Sequence, residues 1–372
     1  MTVMVGDVIK LMEQIAPSSI AEEWDNTGLQ VGQINWPVHN IWIALDATPQ
    51  VVESACKENV SLLITHHPLI FKPLKNINFS DPIGRIIYLA TLHKLAIFSA
   101  HTNLDIVSGG VNDVLANAIG LKNLKVLSKK IRDTHVKLVC YIPVEYEQKI
   151  LDAIFEKGVG KIGDYTCCSF RNHGIGSFKP GEATNPFKGK SGEIFHADEI
   201  RLELVLSNYE LNDVISAIKK IHPYETMAYD VYPIKSIDIS NGIGRIGELH
   251  ERMTLHSLAI SIKEKLKLHH IKISGDLELN IEKVAVCSGS GSSLIKDFLK
   301  SDAQVYVSSD FKYHDARNIE DSKRGLIDIG HFASESLILK VLSEKLKNLL
   351  DKAEYGVFVK DIELEEDPFK FF

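Results

Sequence analysis

Two adjacent imidazoles, His66 and His67, stand at the end of the apolar run Leu62-Leu63-Ile64, just before Pro68. Two other segments repeat the arrangement. A run at 95–100 ends in His101-Thr102-Asn103-Leu104-Asp105, and another at 325–329 passes through Gly330 into His331-Phe332-Ala333-Ser334-Glu335. Neutral imidazole nitrogen and carboxylate oxygen are the ligands that borderline divalent metals accept. Three such clusters, distant in sequence but equivalent in position, are expected to build one metal site from three loops. Five or six nitrogen and oxygen ligands exceed the need of one tetrahedral zinc. Two divalent ions bridged by a carboxylate fit better, with Asp105 the expected bridge, and such a pair would activate a shared water for hydrolysis. With no thiolate in the set, Zn, Mn, Fe, Ni and Co are all admissible.

Each cluster also has a plainer explanation. Neighbouring strand residues point to opposite faces, so only one of His66 and His67 would be a ligand unless Pro68 turns the chain. His331 and Glu335 lie four residues apart and share a helix face, which also suits a simple pair at a helix start. His101 and Asp105 would serve as ordinary loop polar groups. The recurrence at three strand ends favours the joint site. Asp310, Lys312, Tyr313 and His314 follow another strand end. Asp310 and His314 are candidates for acid, base or substrate contacts, with helix capping by Asp310 the alternative. Ser288-Gly289-Ser290-Gly291 would either cradle a phosphate or form a flexible loop. Trp24, beside Asp25 and Asn26, would be either a substrate platform or a plug.

The elements that must position these groups follow from periodicity. Residues 5–15 carry a helical stripe, 41–45 a strand ending at Asp46, 49–58 a helix, 61–65 the His-His strand, 83–92 a helix, 94–100 a strand and 111–119 a helix. This βα alternation predicts a mainly parallel sheet covered by helices. From about residue 129 the order becomes βαββαβ, that of a ferredoxin-like α+β module, and after Asn241-Gly242-Ile243-Gly244 the alternation resumes, closing with a helix over 331–350. The expected organisation is therefore α/β: two similar lobes, 1–128 and 234–372, around a dinuclear metal cleft, with residues 129–233 inserted.

Composition bounds the partners. The 372 residues are 45% hydrophobic and 24% charged, in the range of globular proteins, with formal net charge −7, so a surface made to neutralise nucleic-acid phosphates is not the expectation. No basic leader and no apolar window long enough for a membrane span occur in the sequence, which points to a cytoplasmic protein. Five cysteines without a C-x-x-C pair indicate neither a disulfide framework nor a thiolate zinc site. Cys167 and Cys168 are expected on opposite faces of one strand.

The blocks 23–32 (Glu-Trp-Asp-Asn-Thr-Gly-Leu-Gln-Val-Gly), 65–71 (Thr-His-His-Pro-Leu-Ile-Phe), 101–105, 310–316 (Asp-Phe-Lys-Tyr-His-Asp-Ala) and 330–335, in this order, resemble the Nif-three-like family, the GTP cyclohydrolase I type 2 homologues. His222-Pro223-Tyr224-Glu225-Thr226 is similar to a motif closing the inserted domain of long bacterial members, an insertion related to nitrogen-regulator and copper-tolerance folds. The resemblance implies His66, His67, Asp105, His331 and Glu335 as ligands of two metal ions, with His101 a sixth ligand or a group behind them. It also implies a toroidal homohexamer of two trimers. The implied activity opens the guanine imidazole ring of GTP and releases formate. A metal-dependent hydrolase of a nucleotide or phosphorylated small molecule is thus the first expectation. In it Glu335 or His101 relays protons while Asp310 or His314 contacts substrate. The alternative is a non-catalytic metal-binding scaffold that docks a partner or ligand through the insertion.

Overall fold

Apolar runs without alternation become strands covered on both faces, and this chain has several. A computed structural model describes residues 2–129, 135–162, 165–208, 210–234 and 241–370. The protein is a mixed α/β chain with three sheets. It divides into two units, one made of Met1–Lys130 with Asp238–Phe372 and the other of Ile131–Ile237.

The first sheet of the larger unit runs Gly28–Val31, Ala96–Ser99, Leu62–Thr65, Asn40–Ala44, Phe358–Asp361. The three pairings from Ala96–Ser99 onward are parallel, and Gly28–Val31 closes the edge antiparallel. Leu62–Thr65 sits at the centre with all four residues buried. Ile41, Ile43, Leu62 and Ile64 pack against helices Val5–Ile15 and Ile338–Lys352, whereas Trp42, Ala44 and Leu63 meet Pro49–Lys57 and Pro82–Leu92. Period-two alternation is absent because both faces are apolar.

The second sheet runs Lys272–Ser274, Gly325–Asp328, Val305–Ser309, Asn280–Ser290, Ile243–Thr254, Lys122–Ser128. Three central strands are parallel and the flanking ones antiparallel. Neither sheet is made from one half of the sequence. Lys122–Ser128 crosses to pair with Ile243–Thr254, and Phe358–Asp361 returns to pair with Asn40–Ala44. Arg245 fastens the first crossing: its guanidinium donates twice to Asp113 at 2.7 Å and also to the carbonyls of Gly242 and Gly244.

In the smaller unit the elements are His135–Pro143, Glu147–Phe155, Phe170–Phe178, Phe195–Ser207, Leu211–Ile221 and Tyr229–Ile234. The strands form an antiparallel sheet ordered Phe170–Phe178, Phe195–Ser207, His135–Pro143, Tyr229–Ile234, and the two helices share its core. Cys167 and Cys168 lie before the Phe170–Phe178 strand instead of alternating across it, with Cys167 in the left-handed region at φ 58°. Among the described residues no helix is long and apolar enough to cross a membrane.

Candidate metal centre

The strand Leu62–Thr65 delivers both of its histidines to one place. The amides of His66 and His67 continue bonding to the neighbouring strand, at Ala44 O and Leu45 O, while Thr65 Oγ1 donates to His67 O and curls the chain. The rings stay 5.0 Å apart by centroid instead of facing away from each other. His101 precedes a short helix, Thr102–Ile106, which the sequence reading treats as loop and which carries Asp105. His331 and Glu335 occupy one turn of helix, His331–Glu335, which the chain breaks before resuming at Ile338–Lys352; the expected single helix is two.

These groups converge. Glu335 Oε2 lies 3.0 Å from His67 Nε2 and 3.1 Å from His331 Nε2, and Oε1 lies 3.6 Å from His66 Nε2. His66 Nε2 is 3.7 Å from Asp105 Oδ1. Three triads have mutually close ligand atoms: His66 with Asp105 and Glu335, His67 with His331 and Glu335, and His66 with His67 and His101. The first two share Glu335. Glu335 thus turns one oxygen to His66 and the other to His67 and His331, whereas Asp105, the bridge expected from the sequence, enters one triad.

Each imidazole is held from behind. Nδ1 of His66 meets Ala100 O at 3.0 Å, that of His67 meets Asp46 Oδ1 at 3.1 Å, that of His101 meets Asp25 Oδ1 at 2.8 Å, and that of His331 meets Asp310 Oδ2 at 2.7 Å. Nδ1 is thus occupied on every ring, which leaves Nε2 as the free donor, the arrangement that second-layer carboxylates and carbonyls impose on metal-bound histidines. Asp25 also accepts from the amide and hydroxyl of Thr102. Burial opposes its ionisation, but these bonds and His101 pull Asp25 down to about 2. Asp46 and Asp25 escaped the sequence reading as functional groups. The signal available was an acid directly after a buried strand and one inside the 23–32 block.

Does the cradle suit cations? His66 is 1% exposed and Glu335 3%. His66 Nε2 is a buried atom without a hydrogen-bond partner and points into the cluster, where the buried Glu335 Oε2 faces His67 Nε2 and His331 Nε2. Buried polar atoms in that state are costly and demand a partner. The donor set fits a divalent ion. Cys287 does not join it, because burial and the charge of Asp105 push its thiol up to about 12 and Sγ donates to Ser288 O.

The neighbouring carboxylates favour the protonated form of two of the imidazoles. Burial disfavours charge on His67, yet hydrogen bonds to Asp46 and Glu335 raise it to about 10. Glu335, with Asp310 behind, raises His331 to about 9 against the effect of burial. Glu335 is buried too, but the surrounding imidazoles hold it well below the usual carboxylate range, whereas burial raises Asp105.

The Ser288–Gly291 run forms one wall of the centre. Ser288 Oγ donates to Asp105 Oδ1 at 3.0 Å, and the amide of Gly289 donates to Ser334 Oγ. Asp310 acts on His331; Lys312, not Asp310, precedes the Tyr313–Asp321 helix as its cap. His314 is exposed on that helix with its ring against Tyr313. At the open side, Trp24 and Phe71 place exposed rings 6.0 and 6.3 Å from His101 and 5.8 Å from each other.

Comparison with known proteins adds to this geometry. A family model described as Duf34/NIF3 (NGG1p interacting factor 3) matches residues 3–368. A Bacillus subtilis protein named GTP cyclohydrolase 1 type 2 homolog is 38% identical over 364 residues, covering 98% of this chain and 97% of its own length. A protein of the same name from Halalkalibacterium halodurans is likewise 38% identical over 364 residues, with 98% of both chains covered. Among solved structures, a Bacillus cereus protein related to NIF3 superposes with a TM-score of 0.81 at 35% identity, with 99% of both chains covered. A Staphylococcus aureus protein superposes with a TM-score of 0.74 at 30% identity, covering 100% of this chain and 99% of its own.

Proposed function

The chain belongs to the Duf34/NIF3 family, and on that footing we propose that it is a two-metal hydrolase of a nucleotide or another phosphorylated small molecule. His66, Asp105 and Glu335 would hold one divalent cation, and His67, His331 and Glu335 the other. The observation that carries this reading is His66 Nε2, buried without a hydrogen-bond partner and aimed into a cluster whose two triads share Glu335. Ions of this kind supply a water of lowered pKa and polarise the bond it attacks.

The chain's own residues do the rest. Asp46 and Asp310 keep His67 and His331 turned inward. His101, anchored by Asp25, stands beside His66 and His67 with its Nδ1 engaged, and is placed to pass a proton through its remaining nitrogen. Trp24 and Phe71 offer aromatic faces next to His101, suited to a planar base. The relatives' name makes GTP the first substrate to try, with ring opening at guanine the reaction to look for. Zn, Mn, Fe, Ni and Co all remain candidates. The homohexameric ring, and the reading of the inserted unit as ferredoxin-like, belong to the same proposal.

Protein loaded separately with each metal, assayed against a nucleotide panel that includes GTP beside His66→Ala, tests it. Turnover by the wild type that the variant lacks is expected; equal background from both sinks the hydrolase reading. Light scattering that returns a monomer rejects the ring.

A further inference from the structure

The inserted unit holds a cavity that the metal chemistry does not use. It is a half-open pocket of about 410 Å³ beside the strand Phe195–Ser207, and its walls are mainly apolar, with Phe178, Phe187 and Tyr224 among them. Tyr224 lies 5.7 Å from Phe178, edge-on, and 6.3 Å from Phe187, tilted, by ring centroid, so the three form a partial aromatic enclosure. The size and the balance of apolar surface with a few polar groups suit a small organic ligand.

The charges on the wall decide which kind. Two carboxylates, Glu199 and Glu225, line the cavity, and among the described residues no lysine, arginine or histidine does. Glu199 is 8% exposed. Gly176 opposite makes room for it, since a Cβ there would overlap Oε2 of the acid. Nearby cations are committed elsewhere. The Nε2 of His222 is bonded to Tyr141 O at 2.9 Å and its Nδ1 accepts from the Tyr224 amide, and burial lowers its pKa, so the ring is neutral. Lys188, over the Phe187 ring, pairs with Glu145. The Tyr224 hydroxyl is buried with no hydrogen-bond partner of acceptable geometry. Burial and the adjacent Glu199 carboxylate push its phenol up, so it stays protonated and supplies no countercharge.

A buried carboxylate with no cation beside it is costly, and aromatic faces attract positive charge. A phosphate would meet only repulsion here. We propose that this cavity binds a small organic cation, a protonated amine or guanidine with an apolar body, whose N–H groups donate to Glu199 while the charge rests against Tyr224 and Phe178. This site is independent of the metal centre, and its ligand is opposite in charge to a nucleotide.

Calorimetric titration of the full, metal-loaded chain with phenethylammonium and with benzamidinium tests the assignment, with 2-phenylethanol and inorganic phosphate as controls. At least one cation is expected to bind once per chain, about tenfold or more tighter than 2-phenylethanol. Glu199→Gln should remove that margin, and Phe187→Ala should weaken binding several-fold. His66→Ala, which disables the metal centre, should leave it unchanged. Should Glu199→Gln fail to fold by circular dichroism, Phe187→Ala carries the test, since that ring is 43% exposed and its loss leaves the core intact. The inference is overturned if neither cation binds, if the alcohol binds as well as the amine, if phosphate displaces the cation, or if the folded variants bind like the wild type.

Discussion

Gly289 lies directly against Glu335: a Cβ added to the glycine would overlap Oε1 of the acid and stand 3.3 Å from His331 Nε2. Its φ of 58° also disfavours any side chain. Gly289→Ala should therefore displace Glu335 and weaken metal binding about ten- to hundredfold while the chain still folds. Metal content after dialysis, measured by mass spectrometry, checks this; undiminished content would show that the glycine has no part in the site.

Because Glu335 belongs to both triads and Asp105 to one, their substitutions should differ in stoichiometry. Glu335→Ala is expected to lose both ions, and Asp105→Ala to keep the one held through His67 and His331. If Asp105→Ala instead loses both and Glu335→Ala retains one, the bridge has been assigned to the wrong acid.

Asp46 and Asp310 touch no ligand position of their own but fix Nδ1 of His67 and His331. Asp46→Asn and Asp310→Asn preserve shape and remove charge. Each should lower affinity for the same ion about ten- to hundredfold, with the ion at His66 less affected. Competition with a chromogenic chelator reads both constants. Equal weakening of both ions would point to a general loss of structure.

His67 and His331 rise from 6.5 to about 10 and about 9 in the folded, metal-free chain. Their contribution to stability is fully present below about pH 6.5 and is lost as pH climbs through 9 and 10. The melting temperature of metal-free protein should thus fall between pH 7 and pH 10, and bound cations should flatten that slope. Metal uptake near pH 7 must expel protons, about two per chain if both rings are charged, so affinity should increase with pH. A pH indicator in weakly buffered solution that records no acidification on metal addition contradicts this protonation scheme.

The convergence of these groups was legible in the sequence because polar residues at the ends of wholly apolar runs have few places to go: His66, His67, Asp105, His331 and Glu335 all enter one cluster. What supports them was not. The partners of Asp25 and Asp46 depend on which loops pack together, a tertiary fact that local pattern does not carry. The bridging role went to Asp105 on the strength of its two oxygens, a property Glu335 shares; only the distances separate them. The helix over 331–350 is interrupted although its apolar stripe runs on, because periodicity reports the buried face and not the hydrogen bonds along the axis. The Phe358–Asp361 strand lacked a signal altogether: four edge residues, half of them exposed, show no apolar run.

That last strand sets an order of events during synthesis. A sheet whose opposite edge begins at Gly28 gains its final member from Phe358–Asp361, so its edge beside Asn40–Ala44 stays bare until those residues have left the ribosome. Nascent chains that stop before Phe358 should consequently expose a row of unpaired backbone groups, which is a template for aggregation. Deleting Phe358–Asp361 is therefore a change to the sheet that carries His66 and His67, however far those residues lie from Asn40 in the sequence.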